Sequence, residues 1–478
     1  MVSISKKCVM IGVAVIAAAA LVIGLAFSKK NKIASNALSS SATEGLLYPF
    51  MATETNEGPM HVKLAPGVDV SYLEQFGSVT PLFTLPYDTL KELSGSKPGL
   101  PDLTLWYRVM PDLGIGSTQE VAYLLDQDYV TDIVIPVYSP PPRVDYPPPH
   151  GVHRRVQSVT PLFEADQDYL RRNEQGNNGI DAEYSWTFEG DTGKGVTIYD
   201  IEYGWNLFHE DLTSSFIATL VPPGAIGIPA SDNDNHGTSV LGEMIGTSNA
   251  FGVKGISHGA TAKVAPERTN LLGPNRANAI LLATNDGKPG DVILLEMQVG
   301  VCGGAGGACG DDQLGCGPAE WAADVFDATV AAVRKGLVVV AAAGNGKVNL
   351  DIPQCNGRFD RTNPERDSGA IIVGAGGPGR PGCGSARVKL DFSSFGSRVD
   401  VHGWGDCVWT TGKGDGHQNA ANPPDRNTLY TSTFSGTSSA SPFVAAAAAN
   451  IQGIAMRRFG FPLDPRVVRK LLTDTGLP

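Results

Sequence analysis

No Cys-x-x-Cys pair occurs anywhere in the chain, so the usual thiolate frame of a structural zinc site is missing. Positive charge is in deficit: 37 lysines and arginines stand against 49 aspartates and glutamates, for a net charge of −12. That balance favours neither nucleic acid nor an anionic membrane surface as a partner. Long apolar runs are almost absent. The exception is Val9–Phe27, 19 residues without a charged or polar side chain. At roughly 28 Å of helix it is just long enough to cross a bilayer. Lys6 and Lys7 precede it and Lys29, Lys30 and Lys32 follow it, so charge does not orient it. It reads as an uncleaved signal-anchor or, with Ser35-Asn36-Ala37 as cleavage site, as a signal peptide within residues 1–30. Residues 9–27 contact the membrane if uncleaved, and either reading places the remainder outside the cytosol.

The cysteines agree with export. Cys8 lies at the edge of the apolar segment, and six remain: Cys302, Cys309, Cys316, Cys355, Cys383 and Cys407. An even six in an exported protein reads as up to three disulfides, whose pairing the sequence leaves open. With 42% apolar residues and 57 glycines the chain is globular and rich in turns.

Residues 31–60, rich in Ser, Ala, Thr and Asn, form a tether. Residues 61–138 are strongly patterned. His61-Val-Lys-Leu, Trp106-Tyr-Arg-Val and Asp132-Ile-Val-Ile-Pro-Val read as strands, with helices over Tyr87–Leu93 and Thr118–Asp126. The unit is a compact α+β domain. A proline-rich linker, 139–168, follows and includes Pro140-Pro-Pro142 and Pro147-Pro-Pro149. Ser78-Val-Thr-Pro-Leu-Phe83 recurs as Ser158-Val-Thr-Pro-Leu-Phe163, an echo too short to be a repeat array.

Between 169 and 478 the texture is α/β. Gly195–Asp200, Asp291–Gly300, Gly336–Gly344 and Ala370–Gly374 are continuous apolar runs. They alternate with helical segments at His236–Ile245, Ala322–Lys335 and Phe443–Ile451. Continuous apolar strands between helices predict a parallel central sheet covered by helices on both faces. In such a sheet the chemistry gathers at the carboxyl ends of the strands. Asp200 ends a strand, His236 opens a helix, and Asn345 follows a strand. Ser438 stands at or just before a helix start, because Pro442 is expected within the first turn. These are the residue types of nucleophilic acyl transfer: a serine, a base, an acid that holds the imidazole tautomer, and an amide that binds the oxyanion.

Two motif matches exclude themselves. Asp232–Glu243 nearly fits a calcium-binding loop, but its fifth position is His236 and no helix enters it. Gly374-Ala-Gly-Gly-Pro-Gly379 has dinucleotide-loop spacing but opens no helix. A lipase-type nucleophile elbow fails as well. Position 440 is alanine where that motif needs glycine, and no histidine follows His417.

Three blocks, Asp234-Asn-His-Gly-Thr-Ser-Val240, Val340-Ala-Ala-Ala-Gly-Asn345 and Ser435-Gly-Thr-Ser-Ser-Ala-Ser-Pro442, resemble the signature blocks of subtilisin-like serine proteases, the subtilases. The order Asp, His, Asn, Ser and the His–Ser separation (438 − 236 = 202) are similar too. The resemblance implies a serine endopeptidase with Ser438 as nucleophile, His236 as base, Asp200 as orienting acid and Asn345 as oxyanion donor. Gln298, Val299 and Gly300, with Ala342, Ala343 and Gly344, would line a cleft that pairs with protein or peptide substrates. Residues 61–138 would be the propeptide, acting as an intramolecular inhibitor. No cofactor is required; structural calcium is compatible with the family, without ligands that the sequence locates. Two departures stand out: Glu202 beside the acid block, and Glu296 where a small or amide residue is usual. They leave a catalytically impaired, surface-binding subtilase fold as the alternative.

Overall fold

The computed structural model describes residues 58–476, apart from internal stretches of which 137–154 and 223–233 are the longest. The Val9–Phe27 segment, nearly all of the tether and the two proline runs lie outside the described residues. Among those described, no helix is long and apolar enough to cross a membrane.

The N-terminal unit is a four-stranded antiparallel sheet of β1 (Met60–Leu64), β2 (Gly77–Pro81), β3 (Trp106–Pro111) and β4 (Val130–Val134), in the order β2-β3-β1-β4. Side chains alternate across a strand, and here both faces are used. Met60, Val62 and Leu64 enter the unit's own core with Leu73 and Val109. His61 and Lys63 point the other way, towards the main domain. Helix α1 (Tyr87–Ser94) sends Leu90 and Leu93 into that second interface. Of the helix expected over Thr118–Asp126, Thr118, Val121 and Ala122 are helical and Leu125 lies in a bend; the others are outside the described residues.

The main sheet has seven strands, all parallel. They are β5 (Thr197–Glu202), β6 (Ile217–Thr219), β7 (Thr261–Pro266), β8 (Val292–Leu295), β11 (Val338–Ala342), β12 (Ile371–Gly376) and β13 (Val401–Trp404). Their order is β13-β12-β11-β8-β5-β7-β6. Between β8 and β11 the chain makes a small antiparallel pair, β9 (Gln298–Gly300) with β10 (Cys316–Pro318). One face of the sheet packs Ile198, Val264, Leu294 and Val340 against α2 (Asp234–Ile245) and α5 (Thr437–Phe459). The other packs Tyr199, Ile201, Ile293 and Val339 against α3 (Arg276–Asp286) and α4 (Ala323–Lys335). Burial on both faces explains why these strands read as unbroken apolar runs. The last helix, α6 (Pro465–Thr475), begins at Asp464, whose carboxylate accepts from Arg466 N.

Pro442 lies deeper in α5 than expected. Thr437 is the first helical residue, so proline is the sixth, inside the helix, and Ser438 the second. The stretch assigned to the linker is also shorter than expected. Phe163 N donates to Gly252 O and Gly252 N to Pro161 O, each at 2.7 Å, and the Phe163 ring stacks on Trp409 at 4.8 Å. Residues from Thr160 onward are therefore part of the main domain. The two echoed hexapeptides differ in structure: the first runs along β2, the second docks through Phe163.

Candidate active site

His236 sits in the first turn of α2, against the end of β5. The approach depends on Gly237. A Cβ there would lie 2.4 Å from Gly204 O and 2.7 Å from Glu202 Cγ, distances no side chain tolerates. With glycine, the helix closes on the strand, and His236 Nδ1 meets Glu202 Oε2 at 2.7 Å. Asp200, the expected partner, is engaged elsewhere: its Oδ2 accepts the Trp205 indole N–H at 2.7 Å. The pairing expected from sequence is corrected here. Both carboxylates face the same side of β5, but Glu202 is the last residue of the strand and reaches the imidazole. Its other oxygen accepts from Tyr203 N at 2.8 Å. His236 Nε2 has no hydrogen-bond partner among the described residues.

Ser438 and Asn345 meet at the start of α5. The residue before the helix is Gly436, which has no side chain to cap it. Asn345, just past β11, supplies the cap from across the site. Its Oδ1 accepts from Thr437 N at 2.8 Å and from Thr437 Oγ1 at 2.9 Å. The amide is thereby held beside the free N–H groups of the first helical turn, where the helix dipole favours negative charge. A Cβ on Gly436 would lie 3.2 Å from Asn345 Nδ2 and 3.5 Å from Ser438 N, so both donors border one small space.

The whole chain can now be set against known proteins. The Subtilase family model matches residues 193–476. The chain belongs to the subtilase family. It is 30% identical to an extracellular protease of Xanthomonas campestris pv. campestris over 52% of this chain and 37% of that one. It is also 30% identical to subtilisin-like protease 3 of Pseudogymnoascus destructans, over 56% and 55%. The chain thus spans 37% and 55% of these two relatives' lengths. Among solved structures, fervidolysin of Fervidobacterium pennivorans, described as a keratinolytic enzyme related to subtilisin, shares the fold. The match has a TM-score of 0.52 and 20% identity, over 91% of this chain and 59% of that one.

The site is rich in buried acid: Asp200, Glu202, Glu243 and Glu296 are all buried. Loss of water holds Asp200 well above the usual carboxylate range, aided by the nearby Glu202 and opposed by the Trp205 bond. Burial likewise raises Glu202, against the pull of the Tyr203 N–H. Glu296, directly after β8, is raised by burial and by Glu202; the Ser441 and Ser438 hydroxyls beside it act in the opposite sense. Glu243, two turns along α2 from His236, is raised by burial and by Glu296, and neither of its oxygens has a hydrogen-bond partner. Burial lowers His236 to about 3, with Lys413 contributing, so the imidazole is uncharged at neutral pH.

Glu202, His236 and Glu296 offer ligand atoms within 4.8 Å of one another. Calcium takes six to eight oxygens, so two carboxylates and an imidazole do not fit the ion the family resemblance suggests. The six cysteines form three disulfides, Cys302–Cys355, Cys309–Cys316 and Cys383–Cys407.

The expected cleft residues divide. Gln298, Val299 and Gly300 form β9, with one edge taken by β10. Ala342 and Ala343 are buried in the main sheet, where Ala343 N donates to Val373 O, and Gly344 O accepts from Ser394 N. Gln298 has a different occupation from a cleft wall: its Oε1 accepts Asn345 N at 2.8 Å and its Nε2 donates to Gln313 Oε1 at 3.1 Å. Neither Gln313 nor the capping of Thr437 by Asn345 is visible from sequence periodicity.

Proposed function

We propose that this subtilase is a serine endopeptidase with Ser438 as nucleophile, His236 as general base and Glu202 as the acid that orients the base. The observation that carries the reading is the His236 Nδ1···Glu202 Oε2 bond, with His236 Nε2 left without a partner among the described residues. Once Glu202 has ionised, at a pH above its raised pKa, Nδ1–H donates to its carboxylate, and Nε2 carries a lone pair that takes the Ser438 proton as Oγ attacks the scissile carbonyl. Negative charge then develops on the carbonyl oxygen, and the Ser438 N–H and Asn345 Nδ2 receive it. His236 passes its proton to the leaving amine, and water hydrolyses the acyl-enzyme by the same steps in reverse. The open edge of β9 is the place for an extended substrate to pair as an added strand.

The N-terminal unit is read as the inhibitory propeptide of a zymogen. Supporting this, it docks on α3 and α4 by specific bonds. His61 Nδ1 meets Asp324 Oδ2 at 2.7 Å, and Asp327 accepts from Lys63 at 2.7 Å and from the Trp106 indole at 2.9 Å. Thr84 N donates to Asn278 Oδ1 at 2.9 Å, and Asn275 Nδ2 to Leu82 O at 2.9 Å. Three disulfides and the relatives described as extracellular support export. Reaction with a fluorophosphonate tests the nucleophile: label is expected on the wild type and absent from Ser438→Ala. Label on both, or on neither folded protein, contradicts the reading.

A further inference from the structure

Asn345 is held through its backbone N–H and through both polar atoms of its side chain. Its Oδ1 is taken by Thr437 twice, and its N–H by Gln298 Oε1. Of the two hydrogens on Nδ2, one is directed to Gln313 Oε1 at 3.0 Å. The same Gln313 oxygen accepts from Gln298 Nε2 at 3.1 Å, closing a ring of three amides.

Gln313 belongs to the loop between β9 and β10, and that loop is anchored independently of the amide ring. Gln313 has a left-handed φ of 56°. It precedes a run of backbone bonds: Cys316 N to Gln313 O at 3.1 Å, Gly315 N to Gly346 O at 3.0 Å and Val301 N to Gly315 O at 2.9 Å. Cys309–Cys316 closes a seven-residue separation around it, and Cys302–Cys355 ties the loop's other end to the segment after Asn345. An acceptor on a stapled loop, aimed at the oxyanion amide, is a built feature of the site.

Building on the catalytic reading above, we infer that Gln313 is a positioning residue for the oxyanion donor. By holding one Nδ2 hydrogen it fixes the amide plane, so that the second hydrogen is presented to the developing oxyanion. Donors already oriented when charge appears need no reorganisation in the reaction, which is where such sites gain their effect. The side-chain bonds of Gln313 go to Asn345 and to Gln298, which itself holds Asn345 N, so its influence converges on Asn345. The disulfide-stapled loop is, on this account, a support for catalysis.

The test uses the full chain after maturation, with active molecules counted by fluorophosphonate titration. Gln313→Met keeps the length and removes the strong acceptor. It is expected to lower kcat by about 10- to 100-fold with KM little changed, as misplacement of a catalytic group does. A peptide aldehyde, which forms a tetrahedral oxyanion on the serine, should lose affinity by the same factor. Replacing both Cys309 and Cys316 by serine should lower kcat in the same direction. An unchanged kcat with only a lower Tm would overturn the inference, and so would a raised kcat, which would make Gln313 a plug. Asn345→Leu run alongside separates the two levels. A loss of about 10²–10³ there, a size measured on subtilisin itself and so inherited through the family, upholds Asn345 as oxyanion donor. In that case, no effect of Gln313→Met defeats this inference alone. No loss from Asn345→Leu defeats the oxyanion assignment and this inference with it.

Discussion

Asp200 and Glu202 stand two residues apart on one face of β5, yet only Glu202 meets His236, at 2.7 Å, while Asp200 holds the indole of Trp205. A glutamate carries one methylene more than aspartate, and at the strand's end that length spans the distance to a helix brought close by Gly237. The site is thus assembled by reach and packing as much as by residue type.

The buried carboxylates fix a pH dependence of stability. Asp200, Glu202, Glu243 and Glu296 all have folded-state pKa values above the ordinary range, chiefly through loss of water. A raised folded value means that the contribution is complete below about pH 4 and is lost as pH rises through the folded values. His236, lowered to about 3, has the opposite sign: its contribution is complete above about pH 6.5 and is lost as pH falls towards 3. Glu243 isolates the first effect, because it lies outside the catalytic pair and its carboxylate has no hydrogen-bond partner among the described residues. Glu243→Gln is expected to raise Tm near pH 8 and to change it far less near pH 4. Equal shifts at the two pH values would contradict this.

Gly436→Ala is expected to impair catalysis with the fold retained. The residue has φ +103°, a conformation costing other residues roughly 1–3 kcal/mol, and the new methyl would crowd Asn345 Nδ2 and Ser438 N. A fall in kcat of about tenfold or more, with a modest loss of Tm, is the outcome to look for in steady-state kinetics.

Asp327 joins the N-terminal unit to α4 through both Lys63 and Trp106. Hydrogen bonds to a charged group contribute about 1.5–3 kcal/mol each, so Asp327→Ala should loosen the unit markedly. In a Ser438→Ala background, which cannot cut itself, the amides of β1 and β3 should exchange hydrogen at least tenfold faster. Exchange that is unchanged would show that apolar contacts of Leu82, Phe83 and Trp106 carry the docking alone.

Much of this architecture is legible in the sequence because its strands are buried on both faces. Val338-Val-Val-Ala-Ala342 cannot be an amphipathic element, and a parallel sheet under helices is what remains. The blocks around His236, Asn345 and Ser438 put these residues at strand and helix ends, where the structure has them. The acid was harder. Alternation puts residues 200 and 202 on one face, and only a partner five residues on, Trp205, diverts the first. The signal available was positional: β5 ends at Glu202, and the carboxyl end of a strand is where such a fold displays its chemistry. Gln313 had no sequence signal, because its place is set by two disulfides and by Gly346, a non-local neighbour. Pro442 was set too early in its helix, since the cap comes from Asn345 and not from the residue before the helix.

The most direct measurement compares kcat/KM of Glu202→Gln with that of Asp200→Asn, each corrected for active sites by fluorophosphonate titration. Glutamine can hold the imidazole in the wrong tautomer, a fault that costs up to about 10⁴ in serine proteases. Asparagine at 200 keeps an oxygen for the Trp205 indole. The account predicts a loss of order 10³–10⁴ for Glu202→Gln and less than about tenfold for Asp200→Asn. The reverse ranking would return the orienting role to Asp200 and contradict the site described here.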